Sequence, residues 1–206
     1  MSNLILDILD KTKLQRLRLS SIDCVEVDEN FNEVLKDQRV MPHLHLSIQS
    51  GDDMILKRMK RRHNSKDVFQ FVDRCKKIRK DISFGADIIA GFPTETDTMF
   101  ENTYKLLREN EISHLHIFPF SPKNNTPASR MPQVSKSIIK KRAKVLRDLG
   151  ELILKKVKSK LSLPREILIE ELNSGLAIGY DQNYIKHKVP LVGVPVGEVI
   201  RVSCFF

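Results

Sequence analysis

The sequence predicts an α/β protein: a parallel sheet with helices between its strands, followed by a small β-domain. Three observations carry this. Four short apolar-rich stretches are each followed by a helix-period segment, a long basic helix follows Pro132, and a Val/Ile-rich tail punctuated by glycines starts at Arg165. The strands are expected at about 15–22, 44–50, 83–90 and 114–120. For the intervening helices, Asp28 precedes the first, Ser50 with Asp53 begins the second, Asn64 or Ser65 the third, and Thr98 with Glu101 the fourth.

The long helix is expected over 136–161, where Ile139, Ala143, Leu146, Ile153 and Val157 keep a helical period and the other face is Lys and Arg. Pro164 stops it. Beyond, Gly175, Gly179, Gly193 and Gly197 mark turns between short strands. Three units follow: 1–132, 133–163 and 164–206.

Lys and Arg outnumber Asp and Glu by 35 to 26, a net charge of +9 that favours polyanionic partners. No apolar run approaches the ~18 residues of a membrane span. The first residues carry Asp7 and Asp10 within their apolar stretch and lack a small-residue cleavage site, so no signal peptide and a cytoplasmic location are expected. Cys24, Cys75 and Cys204 lie too far apart for a local metal knuckle or disulfide ladder. Cys75 shares the stripe Val68, Phe71, Val72, Ile78 and reads as an ordinary core residue.

Strands buried on both faces of a parallel sheet should be almost continuously apolar, yet these alternate. Arg16, Arg18 and Ser20 oppose Leu17 and Leu19; His43, His45, Ser47 and Gln49 oppose Leu44, Leu46 and Ile48; His114 and His116 oppose Leu115 and Ile117. Helices must cover the apolar faces, so the polar set points into a barrel or cleft. Arg18, Ser20, His45, Ser47, Gln49, Asp87 and His116 are costly to desolvate unless they bind something polar or pair internally, as Arg18 could with Asp87. No metal site is predicted from the two His-x-His pairs. His43 and His114 begin their strands, whereas sites in parallel βα barrels lie at the carboxyl ends.

The blocks RLRLSSID (16–23), LHLSIQSGDDMILKRMKRRH (44–63), FGADIIAGFPTET (84–96) and HLHIFPFSPKNNTPASRMP (114–132) resemble the radical SAM tRNA methylthiotransferases, in particular those that modify threonylcarbamoyladenosine. The tail, with ILIEELNSGLAIGYDQNYIKHK, resembles the RNA-binding TRAM module of that family. The resemblance implies the last four strands of a partial βα barrel, with S-adenosylmethionine (SAM) held by Arg18, Ser20, Ser47, Gln49, Asp87 and Gly91. Gly91 would let the backbone approach the cofactor. It also implies a tRNA substrate and a [4Fe–4S] cluster held by CxxxCxxC. That spacing does not occur in these residues, so no cluster is expected in this chain. Lys140, Lys141, Arg142 and Lys144 on the long helix, with Lys186 and Lys188 in the tail, are the candidate RNA contacts, and Tyr180 and Tyr184 the tail's stacking candidates. Three readings stay open: an inactive carboxy-terminal fragment, half of an enzyme completed by a separately encoded amino-terminal half, or an RNA-binding module.

Overall fold

The computed structural model describes residues 1–190 and 193–203, so Cys204 lies outside the described residues. Its elements are α1 (Ser2–Lys11), β1 (Leu17–Ile22), α2 (Phe31–Lys36), β2 (Val40–Gln49), α3 (Asp53–Arg58), α4 (Ser65–Ile78), β3 (Ser83–Ala90), α5 (Asp97–Glu109), β4 (Ile112–Pro119), a 3-10 turn (Pro127–Arg130), α6 (Lys136–Lys160), and β5 (Arg165–Asn173), β6 (Leu176–Tyr180), β7 (Lys186–Val189) and β8 (Val199–Val202).

Strands β1 to β4 form one parallel sheet in chain order. Its apolar face, with Leu44, Leu46, Ile48, Phe84, Ala86 and Ile88, is buried among the helices. Phe31 of α2 meets Phe71 of α4 with ring centroids 6.1 Å apart. On α6, the residues Ala143, Leu146, Leu149 and Ile153 enter the same core, so the long helix is anchored by an apolar stripe. Helix α1 was absent from the sequence expectation. Its Ile5 and Leu9, one turn apart, are buried in that core.

Three helix starts differ from expectation, each for a local reason. Helix α3 is capped by Asp52, whose carboxylate accepts from the amides of Met54 and Ile55 at 3.0 Å. A carboxylate is the stronger acceptor, and the Ser50 hydroxyl is engaged with Thr103, 3.2 Å away. Helix α5 is capped by Thr96, two residues before Thr98. Asp28 does not cap α2; its carboxylate lies 3.4 Å from the amide of Ser2 and ties α1 down instead. The Asn64 start of α4 is a full capping box with Asp67.

The tail forms an antiparallel sheet in the order β7-β6-β5-β8, with Ile167, Ile169, Ala177, Val189 and Val202 as its core. At Gly179 a Cβ would lie 2.1 Å from the carbonyl oxygen of Leu168, so only glycine lets β5 and β6 approach this closely.

The two sheets are joined through the turn at 181–185. The Asn183 side-chain amide donates to the carbonyls of Pro42 (3.0 Å) and Asp81 (2.6 Å), while the Asn183 backbone carbonyl accepts from the Ser83 hydroxyl at 3.1 Å. Arg18 donates to the carbonyls of Asp181 and Gln182, and Arg16 pairs with Glu166 at 3.2 Å. The turn is held from within by Asp181, wholly buried, which accepts from Arg165 and from the amides of Asn183 and Ile185. Burial alone would raise the Asp181 carboxyl, but its bond with His187 and the Arg165 charge hold it below the usual range.

Candidate active-site lumen

Strand pleating stacks the inward side chains in layers, because alternate residues face the same way about 6.6 Å apart along a strand. At the amino-terminal ends of the strands lie His43 and His114, ring centroids 4.8 Å apart and edge to face. Tyr184, from the 181–185 turn, stacks on His43 at 5.2 Å, and its backbone carbonyl lies 3.1 Å from His114 Nε2. The Arg18 guanidinium sits 5.0 Å from the Tyr184 ring centre and Tyr180 stacks beyond it at 4.6 Å. The β-domain thus forms the floor of the lumen. Desolvation pushes His43 down to about 2 and His114 down to about 4, so both imidazoles are neutral at physiological pH.

The middle layer is His45, Asp87 and His116, one from each of β2, β3 and β4. His45 Nε2 lies 2.9 Å and His116 Nδ1 3.2 Å from the same oxygen, Asp87 Oδ1. Gly85 pairs with His45 across the strands, and a Cβ there would lie 2.7 Å from His45 Nδ1, so the imidazole needs that glycine.

At the carboxyl ends the lumen opens into a cavity of about 510 Å³ lined by Gln49, Asp87, Ile89, Phe118, Ser121 and Thr126 among others. Gln49 has a φ of 66°, where β2 turns toward α3, and it also borders a second hollow with Arg58 and Arg61. The Arg61 guanidinium donates to the carbonyl of Ser47 at 2.7 Å.

The turn 91–95 closes one side of this mouth. Gly91 has a φ of 73°, and its amide donates to Glu95 Oε2 at 3.1 Å. Arg142 of α6 bonds the same Oε2 at 2.8 Å and also reaches Asp97 at 2.7 Å. Desolvation raises the Glu95 carboxyl despite the Arg142 charge beside it.

Two of the expected cofactor contacts, Gln49 and Asp87, meet at the mouth; Ser47 lies half-buried on the same strand face. For the other three the structure shows surroundings that the sequence did not. Arg18 is engaged with the floor and does not pair with Asp87, which the two histidines hold. Ser20 is exposed on the edge strand β1. A Cβ on Gly91 would lie 2.4 Å from Ile139 Cγ1, so glycine is required there by its φ and by the packing of α6. Among the candidate RNA contacts, Arg142 is only 5% exposed and belongs to the buried pair with Glu95, while Lys140, Lys141, Lys144, Lys186 and Lys188 are exposed. The Tyr184 floor and the Arg142–Glu95 pair were missed from sequence.

Cys24 lies at the carboxyl end of β1 beside Asp23 and His63, whereas Cys75 is on the buried face of α4, in the core. Burial pushes both thiols up to about 12.

A parallel βα sheet whose polar face opens into a cavity at the carboxyl ends of its strands has the arrangement at which parallel βα folds bind small molecules. The profile of the Radical SAM superfamily matches residues 5–107, and the chain belongs to this superfamily. It is 50% identical over 195 residues to the threonylcarbamoyladenosine tRNA methylthiotransferase MtaB of Rickettsia prowazekii (strain Madrid E), covering 92% of this chain and 44% of that protein. Identity to the MtaB of Thermotoga maritima is 41% over 187 residues, 89% of this chain and 43% of that one. The chain thus spans less than half the length of these curated relatives. Coproporphyrinogen III oxidase (HemN) from Escherichia coli, a solved radical SAM enzyme, aligns with a TM-score of 0.56 at 17% identity, over 72% of this chain and 36% of that structure, a likeness of fold.

Proposed function

We propose that these residues form the later strands and the RNA-facing part of a tRNA methylthiotransferase acting on threonylcarbamoyladenosine. SAM would lie at the carboxyl mouth against Gln49 and Asp87. The observation that carries this reading is the cavity of about 510 Å³ at that mouth, where an apolar wall of Ile89 and Phe118 faces the polar edge of Gln49 and Asp87. The residues fit an adenosine: apolar surface for a ring, amide and carboxylate for its polar edges. When bound, SAM supplies the reactive carbon-centred chemistry of the superfamily. The chain's own residues orient it and shield it from water on the α6 side.

The donor set does not fit a [4Fe–4S] cluster. Cys75 is sequestered in the core, Cys24 lacks a neighbouring thiol among the described residues, and CxxxCxxC does not occur in the sequence. Under this reading the cluster ligands come from polypeptide other than these residues, and no step is assigned to a cluster here. Under this reading a tRNA substrate implies a cytoplasmic protein; separately, no helix among the described residues is long and apolar enough to cross a membrane.

The deciding experiment is nucleoside mass spectrometry of tRNA from a strain that lacks its own methylthiotransferase. The chain would be co-expressed with a polypeptide carrying the cysteine triplet and the earlier strands. The 2-methylthio product is expected only when both are present and is lost in Asp87→Asn. Product with the Asp87→Asn variant at the parent level would refute the placement of the mouth.

RNA contact is supported by an imbalance along α6. Lys156 and Lys160 share the single carboxylate of Glu111 at 2.9 and 2.7 Å, but Lys136, Lys140, Lys141 and Arg147, nearer the mouth, have no carboxylate partner among the described residues. On β7, Lys186 and Lys188 project to solvent, and we assign the β-domain a TRAM-like role on this basis and on the sequence resemblance. Filter binding of tRNA against salt is expected to show log affinity falling with log salt, at a slope of about −3 to −4 if four cations meet phosphates. Lys140→Glu with Lys141→Glu should reduce affinity roughly tenfold or more at low salt and flatten the slope by about 2. Unchanged binding by that variant would move the contact to the β-domain alone.

A further inference from the structure

The middle layer of the lumen carries a cluster of which the methylthiotransferase reading uses only Asp87, leaving His45 and His116 without a role. We propose that His45, Asp87 and His116 form a mononuclear site for a divalent transition metal of the zinc, cobalt and nickel class, with an open position facing the cavity above. The site is distinct from an iron–sulfur cluster and does not depend on the assignment of the reaction.

Four features support it. First, the donors come from three adjacent strands, with His45 opposite Gly85 and Asp87 opposite His116 in the strand registers. Rigid strands hold a metal set better than loops do. Second, the three donor atoms all lie within 4.8 Å of one another. Metal–ligand bonds of about 2.0–2.2 Å in a tetrahedron put neighbouring donors roughly 3.3–3.6 Å apart, a few tenths of an ångström beyond the separations here. The observed His45–Asp87 and His116–Asp87 separations are 2.9 and 3.2 Å. Third, both imidazoles converge on one carboxylate oxygen, although the carboxylate has a second that could take one of them. Fourth, the chemistry narrows the class: two imidazoles and one carboxylate suit divalent transition metals, Fe²⁺ as well as Zn²⁺, Co²⁺ and Ni²⁺, and are poor ligands for Mg²⁺ or Ca²⁺.

This differs from the sequence expectation of no metal because the four histidines divide into layers. His43 and His114 are stacked against Tyr184 in the floor. Only the inner pair is joined by a carboxylate, and Asp87 also lines the mouth cavity, so a metal there would face whatever occupies that cavity.

The test is a Co²⁺ titration of the untagged chain after chelator treatment, read by visible d–d absorption and by calorimetry. A single saturating equivalent is expected. Asp87→Asn and His116→Gln should each weaken it at least about a hundredfold, since even outer-sphere partners of metal ligands are worth 10–100-fold. The His116 side chain is 59% exposed, so its replacement leaves the fold intact and the result interpretable. Cys24→Ser should bind as the parent does, which separates this site from the Asp23, Cys24 and His63 group. Absence of saturable binding, binding indifferent to Asp87 and His116, or binding lost with Cys24→Ser would each overturn the proposal.

Discussion

Acidification is expected to destabilise the protein well before its carboxylates titrate. His43 and His114 have folded-state values of about 2 and about 4, far below an ordinary imidazole. The unfolded chain therefore binds two protons that the folded one refuses. Each contributes stability that is present above about pH 6.5 and falls with pH by up to about 1.4 kcal/mol per unit. The loss begins near pH 6.5 and continues down to about 4 for His114 and about 2 for His43. Glu95, whose raised carboxyl takes its proton first in the folded state, opposes part of this at the acid end. Urea midpoints at a series of pH values would measure the slope, and His43→Gln with His114→Gln should flatten it. Constant stability between about pH 6.5 and 5 in the parent would mean that the floor admits water and protons.

Removing one partner of the Arg142–Glu95 pair should be the most damaging single change near the mouth. Their side chains are 6% and 1% exposed, so Arg142→Ala leaves a carboxylate buried without its cation. Breaking such a pair costs about 3–5 kcal/mol. Glu95 would still accept from the Gly91 amide, so the turn loses its link to α6 while keeping its internal bond. The double variant Arg142→Met with Glu95→Gln should recover most of the loss, since neither charge remains buried. Thermal and urea unfolding of the two single variants and the double would show it. A double variant as unstable as the worse single would mean that the contribution lies in the hydrogen-bond geometry.

Much of the sheet was legible because its signal is local. Alternation from Leu44 to Gln49 fixes which face is polar, and strand pairing then needs only the β/α order. Arg142 was also legible and was misread. It follows Ile139 by three residues and precedes Leu146 by four, so it lies on the apolar stripe of α6, and its charge drew attention from its position. The cap of α3 failed by two residues because Ser50 and Asp52 offer similar chemistry, and Thr103 decides between them from 53 residues away. Gly91 reads as letting the backbone approach a ligand, and the packing of Ile139 against it, a second reason for glycine there, had no local signal. The lumen floor had no local signal: Tyr184 reads as a stacking candidate for RNA, Asn183 gives no reading, and their partners are in other strands.

Bonds between Asn183 and Pro42 span 141 residues. At a synthesis rate of about 5–20 residues per second, the residues that complete the floor leave the ribosome roughly 7–28 s after the strand they cover. Through that interval His43 and Ser83 face water or a chaperone in place of their final neighbours. The sheet must therefore wait, without its floor, for the 181–185 turn to be synthesised, and the nascent chain is most exposed to misassembly during that wait.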